Sequence, residues 1–344
     1  MAHQVTHSVT LRPSGHQFSV ADGTSVLEAA LDAGLHLPYG CKNGACGACK
    51  GKVLSGQVDY GAAQDSALSV EERAAGMALF CCARPLSDLT LEVREVSAAR
   101  DIPIRILPCR VQKLERVADD VMVVRLKLPT NERLQFLAGQ YIEFLLPDGK
   151  RRAFSLANAP QSSNSPQADD LLEIHVRRIP GGNFTEHVFT QMKEKDILRL
   201  EGPLGSFFLR EDSAKPIILV AGGTGFAPIK GLVEHALRIG SKRPMQFYWG
   251  AKNRAGLYLN ALAEQWAAEH GIAYTPVLSE PDAGWTGRTG LVHEAVLADH
   301  PDLSAYQAYV CGAPVMCEAA LRDFGAHGLP QEEFFADVFS YAPR

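Results

Sequence analysis

Three cysteines in the stretch Gly40-Cys41-Lys42-Asn43-Gly44-Ala45-Cys46-Gly47-Ala48-Cys49 stand at C-x4-C-x2-C spacing. Thiolates at this spacing suit a chain wrapped around an Fe2S2 core. The glycines serve the same end, because a loop drawn tightly around inorganic sulfur needs positive φ and close backbone approach. Its N–H groups can then hydrogen-bond the cluster. A fourth thiolate has to come from farther along, and the adjacent Cys81 and Cys82 are the candidates. Zinc is the alternative occupant, but zinc ribbons usually bring paired C-x2-C knuckles, which this loop lacks. A second stretch with chemical meaning is Gly222-Gly223-Thr224-Gly225-Phe226-Ala227-Pro228, which follows the apolar run Ile217 to Ala221. A tight turn from strand into helix lets dinucleotide phosphates approach the helix N-terminus, where exposed N–H groups and the dipole favour anions. Alone it is weak evidence, since many such turns are glycine-rich.

These groups need elements to hold them. A chain of 344 residues is long enough for two or three domains. The first hundred residues alternate strand-like stretches (Ser8 to Arg12, His16 to Val20, Leu89 to Val96) with one helical stretch, Ser25 to Ala33. That predicts a small α+β unit over 1–97. Within it, Ser69-Val70-Glu71-Glu72 has capping-box spacing and predicts a short helix before Cys81. Residues 98–106 lack periodicity and contain a proline, which suits a linker. Over 107–211 evenly spaced strands (Val121 to Leu126, Tyr141 to Leu146, Ala153 to Ala157, Leu171 to Val176, Ile197 to Leu200) predict an antiparallel β-barrel. The polar stretch Pro160 to Asp170 reads as a mobile hairpin loop. Over 212–344, strands at Ile217 to Ala221, Gln246 to Trp249, Thr275 to Leu278 and Ala308 to Cys311 alternate with helices. This predicts an α/β doubly wound sheet.

With 46% hydrophobic and 21% charged residues and a mean hydropathy of -0.06, the composition is that of an ordinary globular protein. A net charge of -5 argues against a nucleic-acid partner, which a concentrated basic face would attract. The N-terminus lacks the pattern of a signal peptide, and the longest apolar run is far short of a membrane span. A cytoplasmic location is expected. Five of the eight cysteines lie between Cys41 and Cys82, and in a reducing compartment that clustering points to metal or redox chemistry.

The cysteine loop resembles plant-type ferredoxins, a β-grasp family. There the distal cysteine is followed by C-x3-P-x-S-D, and Cys81 to Pro85-Leu86-Ser87-Asp88 fits that pattern while Cys82 is one residue out of register. The resemblance therefore implies Cys41, Cys46, Cys49 and Cys81 as ligands. Arg152-Ala153-Phe154-Ser155-Leu156-Ala157-Asn158 resembles the R-x-[YF]-S-x-A-N motif of the ferredoxin-NADP reductase superfamily. It implies FAD, with Arg152 neutralising pyrophosphate through its planar fork of donors, Phe154 covering the flavin, Ser155 bonding flavin N5, and Leu156 and Ala157 alongside. His175-Val176-Arg177 and Gly181-Gly182-Asn183-Phe184-Thr185 look like the second part of that site, with phosphate at a helix start. Tyr309-Val310-Cys311-Gly312-Ala313-Pro314 matches the superfamily's second nicotinamide segment and joins Gly222, Gly223, Thr224, Gly225, Pro228 and Gly250 as the coenzyme site. Cys311 would set the nicotinamide ring against the flavin. Phe335-Ala336-Asp337-Val338-Phe339 resembles the superfamily's acidic-x-aromatic ending, implying Phe339 stacked on the flavin and Asp337 near the nicotinamide. Five residues follow Phe339, where some relatives end.

In this order, the modules resemble the reductase components of bacterial multicomponent oxygenases and the CDP-6-deoxyglucoseen reductases. The resemblance implies electron transfer from NADH through FAD and a [2Fe-2S] cluster to a partner protein, either an oxygenase component or an iron–sulfur dehydrase. Two other readings stand beside it, a diaphorase or flavin reductase without a dedicated partner and a redox-sensing subunit. Lys252 or Arg254 could meet a 2'-phosphate, so the preference for NADH over NADPH rests on the relatives. The roles of Cys82, Cys109 and Cys317 are open.

Overall fold

A computed structural model describes residues 5–96, 101–160 and 171–339. Apart from Pro160, the predicted hairpin loop lies outside the described residues, as do Ser97, residues 98–100 of the predicted linker and the five residues after Phe339. The chain forms two compact units, Met1–Pro103 and Ile104–Arg344.

The first unit holds β1 (Thr6–Arg12), β2 (Gln17–Ala21), α1 (Val26–Asp32), β3 (Lys50–Ser55), β4 (Val58–Asp59), α2 (Val70–Ala74), β5 (Met77–Leu79), β6 (Arg84–Pro85) and β7 (Leu89–Glu92). Five of these strands make one sheet in the order β2-β1-β7-β3-β5, with β1 and β7 parallel. Alternation along β1 sends Val9 and Leu11 inward, where they are fully buried. Helix α1 starts where Ser25 Oγ accepts the Glu28 N–H at 3.2 Å, and it buries Val26, Leu27, Ala29 and Ala30. The capping box at α2 is formed, with Ser69 and Glu72 each accepting the other's backbone N–H. Strand β3 was not expected from the sequence. Its residues Lys-Gly-Lys-Val-Leu-Ser alternate poorly, and pairing with β5 and β7 makes it a strand.

The second unit opens with β8 (Arg105–Ala118), β9 (Val121–Lys127), β10 (Tyr141–Leu145), β11 (Arg151–Ser155), β12 (Leu171–Arg177), α3 (Asn183–Thr190) and β13 (Ile197–Leu204). Its antiparallel sheet runs β11-β10-β13-β8-β9-β12. A bridge from Leu156 to Ile174 joins the two outer strands, so the sheet closes on itself. Strand β8 begins inside the stretch read as linker. It is long because it pairs with both β13 and β9, and its shifts at Val111/Lys113 and Arg116/Ala118 break the period-2 pattern.

The same unit continues through β14 (Ile217–Gly222), α4 (Phe226–Arg238), β15 (Met245–Ala251), α5 (Asn260–His270), β16 (Ala273–Leu278), β17 (Arg288–Thr289), α6 (Val292–Asp299), β18 (Gln307–Gly312), α7 (Pro314–Ala326) and β19 (Phe334–Val338). All pairs in its sheet, ordered β17-β16-β15-β14-β18-β19, are parallel. Strand β14 is apolar at every position and buried throughout its first five residues, as a central parallel strand must be. Phe226 stacks on Trp249 at 4.1 Å between centroids, and Trp266 and Phe247 extend the aromatic core.

Candidate redox centres

The cysteine loop uses the backbone freedom that its glycines provide. Gly44 has φ 77°, and a Cβ there would stand 2.7 Å from Cys82 Sγ and 2.9 Å from Ala62 O. No larger residue fits. The Cys41 N–H donates to Cys46 Sγ at 3.4 Å, and the Cys81 N–H donates to Cys49 Sγ at 3.4 Å. The four thiols thus stand as two pairs. The Cys46 thiol, with the N–H groups of Asn43, Ala45 and Cys46, lowers the pKa of Cys41, and the same crowding of thiols raises those of Cys46 and Cys81. Cys82 Sγ lies 3.7 Å from Cys81 Sγ and packs beneath Gly44. Among the described residues no three His, Cys, Asp or Glu side chains close on a single metal ion. Four thiols in two pairs, with backbone donors turned toward sulfur, fit a two-iron core, whose ligands divide between its irons.

In the second unit, three elements converge on one carboxylate. Asp337 on β19 is 8% exposed and accepts the Ser155 hydroxyl from the end of β11 at 2.6 Å. Cys311 Sγ, from β18, lies 3.8 Å from the same oxygen. Register places Cys311 between Ala221 on β14 and Asp337 on β19. Burial, with the neighbouring Asp337 charge, pushes the Cys311 thiol well above its ordinary range, so it is a neutral group here. The Phe339 N–H donates to Gly312 O at 2.9 Å, which holds the C-terminal aromatic beside this group.

The glycine-rich turn fits closely against the same strands. A Cβ on Gly225 would fall 2.0 Å from the Cys311 carbonyl oxygen, a separation no side chain survives. Gly222 faces Met316 and Gly250 faces Val292 at similarly short range. Trp249 Nε1 donates to Gly223 O at 2.9 Å and locks the turn. Thr224 lies within it and Pro228 in the first turn of α4. Beside Gly223 stands the Arg177 guanidinium. Its Nε and Nη2 are buried without a hydrogen-bond partner among the described residues, and Asp120 is 3.5 Å away. Orphaned donors beside a glycine turn fit an anionic ligand such as a dinucleotide phosphate.

Elsewhere on the barrel, Phe154 packs with Phe144 and Phe184. Arg152 is half-buried, with Nη1 on the Arg151 carbonyl at 2.8 Å. Helix α3 begins after Gly181 and Gly182 with no side-chain cap. The Thr185 hydroxyl accepts from the Ile179 N–H at 3.1 Å and steadies that loop. Leu156, Ala157 and Val176 are buried. The His175 side chain is fully buried, with Nδ1 on Tyr258 at 2.8 Å and Nε2 on Glu173 at 3.2 Å.

Sequence reasoning missed Glu173, Lys230 and Tyr258. Glu173 and Lys230 are buried, charged and 3.0 Å apart. One signal was present: Lys230 sits on the inward stripe of α4, where an unpaired lysine would be costly. Lys252 and Arg254, the two cations after β15, are each matched by an acid after β16, Lys252 with Glu280 at 3.4 Å and Arg254 with Asp282 at 3.0 Å.

The paired thiols, and the buried Ser155, Cys311 and Asp337 beside a glycine-rich turn, are what an iron–sulfur flavoprotein oxidoreductase would require. Comparison with known proteins extends this along the chain. Residues 9–86 match the 2Fe-2S iron-sulfur cluster binding domain, 108–209 the oxidoreductase FAD-binding domain and 219–322 the oxidoreductase NAD-binding domain. The CDP-6-deoxy-L-threo-D-glycero-4-hexulose-3-dehydrase reductase of Yersinia pseudotuberculosis is 42% identical over 334 residues, covering 96% of this chain and 98% of the relative. The reductase component DmpP of phenol 2-monooxygenase from a Pseudomonas species is 37% identical over 345 residues, 97% and 95% of the two chains. Among solved structures, the Amycolatopsis cytochrome P450 reductase GcoB superposes with a TM-score of 0.76 at 36% identity, over 97% of this chain and 98% of that one. The chain belongs to this family of ferredoxin-type iron–sulfur flavoprotein reductases. It is an NADH-dependent oxidoreductase with [2Fe-2S], FAD and NAD domains, and it passes electrons to an accepting partner.

Proposed function

We propose that the chain is the reductase of a two-component system, and that its acceptor is an iron-containing enzyme of the dehydrase or oxygenase kind. The relatives' names support this: one serves a hexulose dehydrase and the other a phenol monooxygenase. When bound, the flavin takes a hydride and the cluster carries single electrons, the conversion needed between a pyridine nucleotide and a one-electron acceptor. The observation that carries the reading is the meeting of Ser155, Cys311 and Asp337 at one buried carboxylate.

In this reading the first unit is a β-grasp ferredoxin domain, with Cys41, Cys46, Cys49 and Cys81 on iron. The closed sheet of the second unit is the FAD barrel, and the parallel sheet is a doubly wound coenzyme domain. The domain limits are 1–97, 107–211 and 212–344. Arg152 and the uncapped start of α3 at Gly181, Gly182 and Thr185 take the flavin pyrophosphate. Phe154, Phe184 and Phe339 supply aromatic faces, and Leu156, Ala157 and Val176 supply backbone and apolar wall. Gly222, Gly223, Thr224, Gly225, Pro228, Gly250 and Gly312 shape the coenzyme cradle. The Ser155 hydroxyl, held by Asp337, is aimed by that bond, and the neutral Cys311 thiol fills the space beside it without adding charge. Coenzyme choice follows from the acids: a 2'-phosphate near Lys252 or Arg254 would also meet Glu280 and Asp282, which favours NADH.

An anaerobic titration with NADH tests the reading. One flavin and one cluster hold three electrons, so full bleaching is expected at about 1.5 equivalents of NADH per chain. An end point near one equivalent, with only the flavin spectrum changed, contradicts it.

A further inference from the structure

One turn beyond the glycine-rich turn, α4 carries Lys230 on its buried face, 8% exposed. Its ammonium reaches three acceptors: Ala157 O at 3.2 Å, Glu173 Oε1 at 3.0 Å and Glu234 Oε1 at 2.7 Å. The first is a hydrogen bond and the other two are ion pairs, so the buried charge is matched on every side it presents to a carboxylate. Two of the acceptors belong to the barrel. Ala157 stands two residues after Ser155, and Glu173 lies on β12. The next residue of α4 permits the approach, because a Cβ on Gly231 would lie 3.0 Å from Leu156 O and 3.3 Å from Asn158 O.

Glu173 extends the grip in both directions. Its Oε2 accepts from Arg125 Nε at 3.0 Å, and its Oε1 meets His175 Nε2 at 3.2 Å. Burial lowers the affinity of His175 for a second proton. The partners then assign the tautomer, with Nε2–H donating to Glu173 and Nδ1 accepting the Tyr258 hydroxyl at 2.8 Å. Burial by itself would raise the Glu173 carboxyl, but the His175 hydrogen bond and the Lys230 charge outweigh it and keep the group ionised. From Arg125 to Tyr258, a continuous polar strap ties the barrel to α4 and to the chain after β15.

Such a strap is a poor source of stability, because well-packed apolar groups of similar volume often serve as well or better. What it adds is direction. Apolar surfaces can slide, whereas a hydrogen bond and two ion pairs converging on one ammonium favour one register of α4 against residues 156–158. That helix begins at the turn which cradles the coenzyme, and those residues continue the strand that ends in Ser155. We propose that Lys230 is a positioning residue, which sets the nicotinamide against the flavin by gripping the Ala157 carbonyl, Glu173 and Glu234. The proposal rests on the reading of 152–158 and 222–228 as the flavin and coenzyme segments.

The test compares full-length holoenzyme with Lys230→Met and Lys230→Arg. FAD content, thermal midpoint, the calorimetric Kd for NAD+, the flavin difference spectrum at saturating NAD+ and the limiting rate of flavin bleaching by NADH are measured. For Lys230→Met, the limiting rate falls roughly 10–100-fold while Kd moves by less than about 3-fold, as expected when orientation rather than binding is lost. Its NAD+ difference spectrum changes shape. Lys230→Arg keeps charge and donors and recovers at least about a third of the rate. An unchanged rate and spectrum in Lys230→Met overturns the proposal, as does a loss accounted for by missing FAD or by Kd alone. Should Lys230→Met fail to fold, Glu234→Gln removes charge from the arm lying within α4 itself. It should lower the limiting rate by about 3–10-fold at unchanged Kd, and an unaltered rate and spectrum overturns the proposal. A wild-type enzyme whose flavin spectrum ignores saturating NAD+ contradicts the coenzyme reading itself, whereas a normal wild-type response leaves that reading intact.

Discussion

Cys81→Ser should abolish the visible cluster absorption and reduce cytochrome c reduction by NADH at least ~100-fold, because that acceptor is served one electron at a time from the cluster. Ferricyanide can be reduced from the flavin alone, so NADH–ferricyanide turnover should stay within about 2-fold of wild type. The neighbouring Cys82→Ser should keep its iron. The geometry separates the two thiols although their sulfurs are 3.7 Å apart. The Cys81 backbone is tied to Cys49 Sγ, whereas Cys82 is buried under the loop against Gly44 and Gly61. A serine there puts a hydroxyl into a sulfur-sized apolar space, and a stability loss of about 1–3 kcal/mol is expected with the cluster intact. Iron content, visible absorption and the two acceptor assays decide the matter. Retention of the cluster in Cys81→Ser with its loss in Cys82→Ser reverses the ligand assignment.

The second large effect is expected at Ser155. Ser155→Ala removes a buried hydroxyl positioned by the 2.6 Å bond it donates to Asp337, and the limiting rate of flavin reduction should fall by about 10²-fold, the scale of a lost positioning group at a reacting centre. The truncation also strips Asp337 of a partner in a buried site, which adds a cost of its own. Asp337→Asn keeps the shape and removes the charge, so it should lower the rate less than Ser155→Ala. The double variant should then fall short of the sum of the two single effects by roughly 0.5–3 kcal/mol, since both remove parts of one contact. Additive effects in stopped-flow bleaching of the flavin contradict a working Ser155–Asp337 pair. Cys311 is expected to be milder, as a buried neutral thiol 3.8 Å from the carboxylate.

Much of the candidate chemistry was legible in the sequence because it depends on residues with few substitutes. Three cysteines at ferredoxin spacing within a glycine-rich loop have few other uses, and glycines mark close backbone approach. Gly225, where a Cβ would fall 2.0 Å from the Cys311 carbonyl oxygen, is the plainest case. The strand–helix alternation after Asp212 was legible for a related reason, since a fully buried parallel strand such as β14 has to be apolar throughout. Strands β3 and β8 were harder. One has only Val53 and Leu54 among lysines, glycine and serine and exists through its neighbours, and the other is long and bulged, so its two faces exchange along its length.

The polar strap was the least legible part. Lys230, Glu173 and Tyr258 are far apart in the chain and carry no motif, and only the fold brings them together. For the same reason the contacts of the His175 ring with Tyr258 and Glu173 could not be read from the sequence. The acids that offset Lys252 and Arg254 come from the next strand's end, a pairing that spacing does not reveal. Cys109 and Cys317, left open by the sequence, are buried core thiols. Burial pushes Cys109 up to about 12, and Cys317 also lies above the ordinary range.

The most direct measurement is anaerobic stopped-flow mixing of the holoenzyme with NADH, followed at flavin and cluster wavelengths. Flavin bleaching in the first phase, followed by cluster bleaching at a rate fast enough for turnover with an acceptor, is the predicted result. Cluster bleaching that precedes the flavin, or that is too slow for any turnover, would contradict a relay that enters at the nicotinamide site and leaves through Cys41, Cys46, Cys49 and Cys81.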